Sequence, residues 1–181
     1  MSHLLAVDPG IRYPAAALFV DGVLVAASRV KLKTAWAKLP MGERILTVSR
    51  EIRAWYGEQI VSQPTKLDFV FEFPQTYNQR AGKSKGDPND LHPLAGVGCC
   101  VAGLLYDLVH ELVVTEYKPR EWAGTTPKST TGDALASIRG VRVWTRLTDV
   151  EKARVVVSHD AIDAIGIGLQ KAASSPDREK I

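Results

Sequence analysis

Four carboxylates stand where the surrounding sequence has little use for charge. Asp8 closes the apolar run His3 to Val7 and opens Asp8-Pro9-Gly10. Glu72 sits inside Leu67-Asp68-Phe69-Val70-Phe71-Glu72-Phe73. Asp163 interrupts Ala161-Ile162-Asp163-Ala164-Ile165, where a helix would present its core face, and Asp160 lies three residues earlier. That helical spacing sets the two carboxylates about 5–6 Å apart on one side. A carboxylate among apolar residues is costly unless a cation or hydrogen-bond donors meet it. Grouped oxygen ligands of this kind suit Mg²⁺ or Mn²⁺, which prefer hard donors in octahedral geometry.

Each acid also has a plainer reading. Asp8 before Pro-Gly shapes a turn, and Glu72 faces water at a strand end. Ser158 reads as a helix N-cap, with Asp160 complementing the helix dipole and His159 a polar surface residue. Neither capping nor solvation accounts for Asp163. Two strand acids with a helical acid pair form a joint pattern less expected by accident than any one member.

The elements that must position these acids follow from periodicity. His3 to Val7 reads as a strand running into a turn. Ala15 to Val20 and Val23 to Val30 read as two strands joined by Asp21-Gly22, a strong hairpin signal. Ile45, Val48, Ile52, Trp55 and Tyr56 recur at helical spacing within Met41 to Ile60. Leu67 to Phe73 reads as a strand, and Pro74 to Pro88 as a long basic loop. A helix is predicted over Leu91 to His110, with Asn89 or Asp90 as its cap. Leu112 to Glu116 reads as a short strand and Lys118 to Thr131 as a second irregular basic stretch. Two closing helices are predicted, Asp149 to Val157 and His159 to Ala173, before a loose polar tail, Ser174 to Ile181. An opening antiparallel meander followed by strand–helix alternation implies an α/β fold, a mixed sheet with helices on its faces.

The basic residues gather in the two irregular stretches. Arg80, Lys83 and Lys85 follow Tyr77, while Lys118, Arg120 and Lys128 surround Trp122. Bases and aromatics interleaved in this way suit a nucleic-acid surface. The plainer reading is a solvated loop, with Trp122 in a small satellite core. The 181 residues fit one domain, 1–173, with hydrophobic residues at 45% and charged at 24%, which excludes wholesale disorder. No apolar run approaches the roughly 20 residues of a membrane helix, and no export signal is read at the N-terminus. The adjacent Cys99 and Cys100 suit a reducing compartment such as the cytoplasm. A net charge of +3, from 23 Lys and Arg against 20 Asp and Glu, permits a polyanionic partner.

VDPGIRYPAAALF, FEFPQTY and HDAIDAIGIGL, in this order and spacing, resemble the RuvC-like Holliday-junction resolvases of the RNase H-like superfamily, phage-type members most of all. The resemblance runs from Leu4 to about Ala173. It implies a five-stranded mixed sheet whose first three strands are antiparallel, with helices on both faces. The first and fourth strands would lie side by side, setting Asp8 next to Glu72, and the last helix would add Asp160 and Asp163. These four acids are then the expected ligands of two Mg²⁺ ions (Mn²⁺ able to substitute), which serve phosphodiester cleavage. Some relatives carry a histidine at the third acid, so His159 is the alternative to Asp160. The second strand begins Pro14-Ala15-Ala16 where relatives often have Thr-Gly, so the local backbone is expected to differ. Lys118 takes the place of a lysine beside the scissile phosphate, and Lys128 resembles a second. The loop after Glu72 implies an aromatic wedge, Tyr77 or else Phe73. The implied protein is a homodimer on branched DNA, with no membrane and no nucleotide cofactor. The helix holding Gly96, Gly98, Ala102 and Gly103 suits close packing, either within the monomer or across a dimer.

Three other readings compete. Another RNase H-like nuclease would act on structured RNA, as in ribosomal RNA processing, or on branched and flap DNA. An actin-like nucleotide-binding module would need a second Asp-x-Gly loop and an adenosine-binding glycine pair, and the chain shows neither. A non-catalytic DNA-binding protein would have no use for costly buried acids.

Overall fold

A computed structural model describes residues 1–32, 36–60, 62–74, 88–124 and 133–174, with residues 88–90 described by backbone alone. Five strands form one mixed sheet: β1 (Ser2–Asp8), β2 (Ala15–Val20), β3 (Val23–Arg29), β4 (Lys66–Glu72) and β5 (Glu111–Tyr117), in the order β3-β2-β1-β4-β5. The first three are antiparallel, and β1, β4 and β5 run parallel. The hairpin turn falls on Asp21-Gly22, both at positive φ (47° and 80°), a conformation that Gly adopts freely and Asp tolerates.

Side-chain alternation divides the sheet into two cores. Leu5, Val7, Leu18, Phe69 and Phe71 face α1 (Met41–Gln59) and α2 (Pro88–Tyr106), which bury Val48, Ile52, Tyr56, Val97, Val101 and Leu105 against them. Ala6, Ala15, Ala17, Phe19, Ala27 and Val70 face α6 (His159–Ala173), which contributes Ile162, Ala164, Ile165 and Ile167. Three short helices lie between β5 and α6: α3 (Pro119–Ala123), α4 (Ile138–Trp144) and α5 (Asp149–Lys152). Helices therefore cover both faces.

The small residues of α2 are used inside the monomer. A side chain at Gly98 would run into the Phe71 ring, and one at Gly96 would meet Ile45 of α1 at 3.1 Å, whereas Gly103 opens on space. None of the helices in the described residues is long and apolar enough to cross a membrane.

Three expectations need correction. The helix predicted over Leu91 to His110 begins at Pro88 and ends at Tyr106, so Asn89 and Asp90 lie inside it rather than capping it. Proline fits the first helical position because its missing N–H has no intrahelical partner there. The helix predicted over Asp149 to Val157 stops at Lys152, because a sheet edge captures the chain after it. The Val156 amide donates to the Ala27 carbonyl (2.9 Å), and the Glu151 carboxylate accepts from the Leu24 amide (2.9 Å). Finally, Lys118 to Thr131 is not wholly irregular: α3 occupies its start, with the Lys118 amide donating to Glu121 (2.6 Å). The helix α4 had no counterpart in the sequence reading.

Candidate active site

At one end of the sheet the terminal strand residues facing α6 fall on a single row: the last of β1, β3, β4 and β5 and the first of β2. Pairing runs Arg29 to Ala15 and Ala15 to Asp8, and on the far side Glu72 to Tyr117. Val7 pairs with Phe71, so Asp8 and Glu72 end adjacent parallel strands side by side. Alternation sends both toward α6, since Ala6 and Val70, two residues earlier, belong to the core on that face. Lys118 follows Tyr117 directly and is exposed at the end of the row.

The helix α6 runs antiparallel to β1. Its Gly168 lies against Phe19, opposite Leu4 near the start of β1, while Asp160 in its first turn reaches Arg29 in the row of Asp8. Ser158 caps the helix by accepting from the Ala161 amide (3.1 Å). Its first two turns therefore bring Asp160 and Asp163 to the end of the sheet where Asp8 and Glu72 stand. His159 lies there too, half-buried, beside a cavity of about 160 Å³ lined by Ser137, Arg139, His159, Asp160 and Asp163.

Arginines and a tryptophan attend these acids. Arg29 Nε donates to Asp160 Oδ2 at 2.6 Å, and its guanidinium lies 4.7 Å over the Tyr13 ring. Asp163, only 5% exposed at its side chain, accepts from Arg139 Nη1 at 3.3 Å and 3.5 Å. The Arg139 guanidinium lies 5.0 Å from the centre of the Trp122 ring, and Trp122 Nε1 donates to Glu72 Oε2 at 2.8 Å. Trp122 is thus a satellite of the core with a polar task, and its ring packs on Gly166 of α6, where a Cβ would stand 2.7 Å from it.

Sequence reasoning missed Arg29 and Arg139. Arg29 was read only as part of a strand end, and Arg139 lay in a segment to which no element was assigned. The available signal was the physical demand itself, since a buried acid such as Asp163 requires a cation or donors.

The donor set fits a hard divalent cation: four carboxylates, at one end of one face. Their spacing is another matter. Among the described residues no three His, Cys, Asp or Glu side chains stand close enough together to hold one metal ion. The helical pair is held on Arg29 and Arg139 instead, so a cation would have to draw these acids away from their guanidinium partners.

Of the expected DNA contacts, Lys118 and Arg120 are exposed beside the row. Phe73 is half-buried, 6.3 Å from the Phe71 ring and packed against the opposite core. Tyr77, Arg80, Lys83, Lys85 and Lys128 lie outside the described residues. One basic feature was not expected: Arg142 and Arg146 join Arg139, Trp122 and Gly166 along a narrow groove between α3 and α4 that abuts the acid cavity. Arg146 also donates to the Leu169 carbonyl (3.3 Å).

No protein-family model matches the chain, and no curated protein matches it. Two of the similar solved structures are both RuvC. The first is described as T. thermophilus RuvC in complex with Holliday junction substrate, 17% identical over 95% of this chain and 93% of that one, with a TM-score of 0.56. The second is Thermus thermophilus RuvC, 18% identical over 94% and 93%, with a TM-score of 0.50. A mixed five-stranded sheet in this order, with helices on both faces and nearly full mutual coverage, gives this chain the RNase H-like fold of RuvC.

Proposed function

We propose that the protein is a structure-selective endonuclease that resolves four-way DNA junctions by metal-dependent phosphodiester hydrolysis. The observation that carries this reading is the placement of four acids. Asp8 and Glu72 end neighbouring parallel strands, and the first turns of α6 bring Asp160 and Asp163 to the same end and face. A fold shared with a RuvC bound to a Holliday junction makes branched DNA the first substrate to test.

Asp8, Glu72, Asp160 and Asp163 would hold Mg²⁺, which when bound supplies activation of water and stabilisation of the leaving 3′-oxygen. The residues of the chain do the rest. Lys118, exposed at the end of the acid row, offsets charge on the phosphate under attack. Arg120, Arg142 and Arg146 neutralise neighbouring phosphates and fix the register of the strand. Arg80, Lys83, Lys85 and Lys128 are assigned to further phosphates, and the Tyr77 ring to stacking at an opened base step of the crossover. Two copies would cut symmetrically, because a junction presents two equivalent strands.

The test is cleavage of a synthetic four-way DNA junction beside duplex DNA, a flap and a structured RNA, each with Mg²⁺ and with EDTA. Metal-dependent, paired incisions on the junction are expected. Asp8→Asn, Glu72→Gln, Asp160→Asn and Asp163→Asn should each lose cutting while retaining junction binding, since they remove ligand charge and ease repulsion of phosphate. Preferential cutting of RNA would replace this reading with an RNA-processing one. Near-normal turnover in two of the four variants would overturn the metal-dependent mechanism.

A further inference from the structure

Asp163 and Glu72 belong to different elements and are joined by a bridge that neither helix α6 nor strand β4 supplies. Arg139 of α4 holds Asp163 through Nη1, lies on the face of Trp122 from α3, and Trp122 in turn donates to Glu72. The Arg139 side chain is 12% exposed, so the ion pair is shielded from water and salt. The Trp122 ring is itself fixed by Gly166, beside which a side chain would not fit. The result is a continuous Asp163–Arg139–Trp122–Glu72 chain of contacts across the site.

We propose that Arg139 is a positioning residue that acts as a built-in counter-ion. It neutralises Asp163 and, through Trp122, keeps Glu72 in register until a divalent cation takes its place. The inference rests on the proposed metal-dependent reading and concerns how the acids are kept ready for the cation. Without a positive charge, like carboxylates at one sheet end would repel each other. With Arg139 in place they are held, at the cost of competition, because a cation recruits Asp163 only as the guanidinium leaves it. The five donors and fixed fork of arginine, and its ability to lie on an indole face, suit it to rest on Trp122 when Asp163 is released. Arg29 stands toward Asp160 in a similar way, but at 45% exposure its pairing is far more screened.

The experiment measures Mg²⁺ binding and thermal melting of the intact protein, with no DNA present. Wild type should melt higher with Mg²⁺ than with EDTA. Arg139→Gln should melt lower than wild type in EDTA, bind Mg²⁺ about tenfold more tightly and show a larger Mg²⁺-induced rise, tenfold being about 1.4 kcal/mol. Arg139→Lys, which keeps the charge, should bind Mg²⁺ with close to wild-type affinity. A purely structural Arg139 would lower both melting temperatures equally and leave Mg²⁺ affinity unchanged, and that result overturns the proposal. Should Arg139→Gln fail to fold, the wild-type indole N–H resonance of Trp122 decides: it should shift during Mg²⁺ titration and saturate together with the melting rise. A static Trp122 resonance under saturating Mg²⁺ overturns the counter-ion exchange and leaves the metal site standing. No Mg²⁺ effect on wild type at all would remove the metal-dependent reading and the exchange with it.

Discussion

Asp160 and Asp163 sit one helical turn apart and have the same proposed task, yet the structure expects very different stability costs from neutralising them. Asp163 and Arg139 are 5% and 12% exposed at their side chains, whereas Asp160 and Arg29 are 21% and 45% exposed. Asp163→Asn leaves a shielded guanidinium beside an amide that cannot balance its charge. Removing one partner of a buried pair costs about 3–5 kcal/mol, and the Trp122 ring under Arg139 argues for the low end, about 3 kcal/mol. Asp160→Asn breaks a pair that water already screens, worth about 0.2–1 kcal/mol despite its short 2.6 Å contact. At about 2–4 °C per kcal/mol for a domain of this size, Asp163→Asn should lower Tm by about 6–12 °C and Asp160→Asn by under about 4 °C. The assay is urea and thermal unfolding in EDTA, and both variants should be equally dead in junction cleavage. A double variant, Asp163→Asn with Arg139→Met, should recover part of the loss, because the stranded cation goes with its partner. An Asp163→Asn protein as stable as wild type, or more so, would refute the reasoning. That outcome would mean that repulsion among the acids outweighs the hold of Arg139.

Other outcomes follow from the same geometry. Gly98→Ala should destabilise by about 1–3 kcal/mol by pressing on the Phe71 ring, whereas Gly103→Ala, with nothing within 4 Å of its Cβ, should stabilise by about 0.5–1 kcal/mol, both read by urea unfolding. Burial pushes the Glu151 carboxyl up, but donation from the Leu24 and Thr148 amides and the Thr148 hydroxyl, with Arg154 nearby, outweighs it and holds the group below its usual value of 4.5. The folded state therefore binds this proton less readily than the unfolded one, so the contribution is complete above pH 4.5, fades as pH falls through the folded value, and should vanish from the acid limb of stability in Glu151→Gln. Neutralising Arg142 and Arg146 together, each to Gln, should weaken binding to junction, duplex and single strand alike and reduce the salt slope by about 2, as loss of two phosphate contacts does. Tyr77→Ala should slow junction cutting by roughly ten- to a hundredfold while Tyr77→Phe retains most activity, since base stacking uses the ring.

Much of this protein was written in the periodicity of its chain. The period-two runs and the Asp21-Gly22 turn determined the opening meander, because a hairpin needs only neighbours in sequence and a turn that tolerates positive φ. Ser158 as a cap and the long amphipathic pattern of α6 were legible for the same local reason. The acids announced themselves by contradiction: Asp163 in a row of alanines and isoleucines required a partner, although nothing nearby in sequence said which. What tertiary structure alone decided is the set of those partners. Arg139 is 24 residues from Asp163, Arg29 is 131 from Asp160, and Trp122 is 50 from Glu72. Their pairing depends on the crossing of α6 over the sheet and the docking of α3 and α4 beside it. The helix α4 was illegible because seven residues rich in β-branched side chains have little helical preference of their own. It forms where Ser137 caps it and where Gly140, lacking a side chain, lets it close against the Ala134 carbonyl. Local rules thus placed the charges on their strands and helix, and only long-range packing chose the cations that hold them.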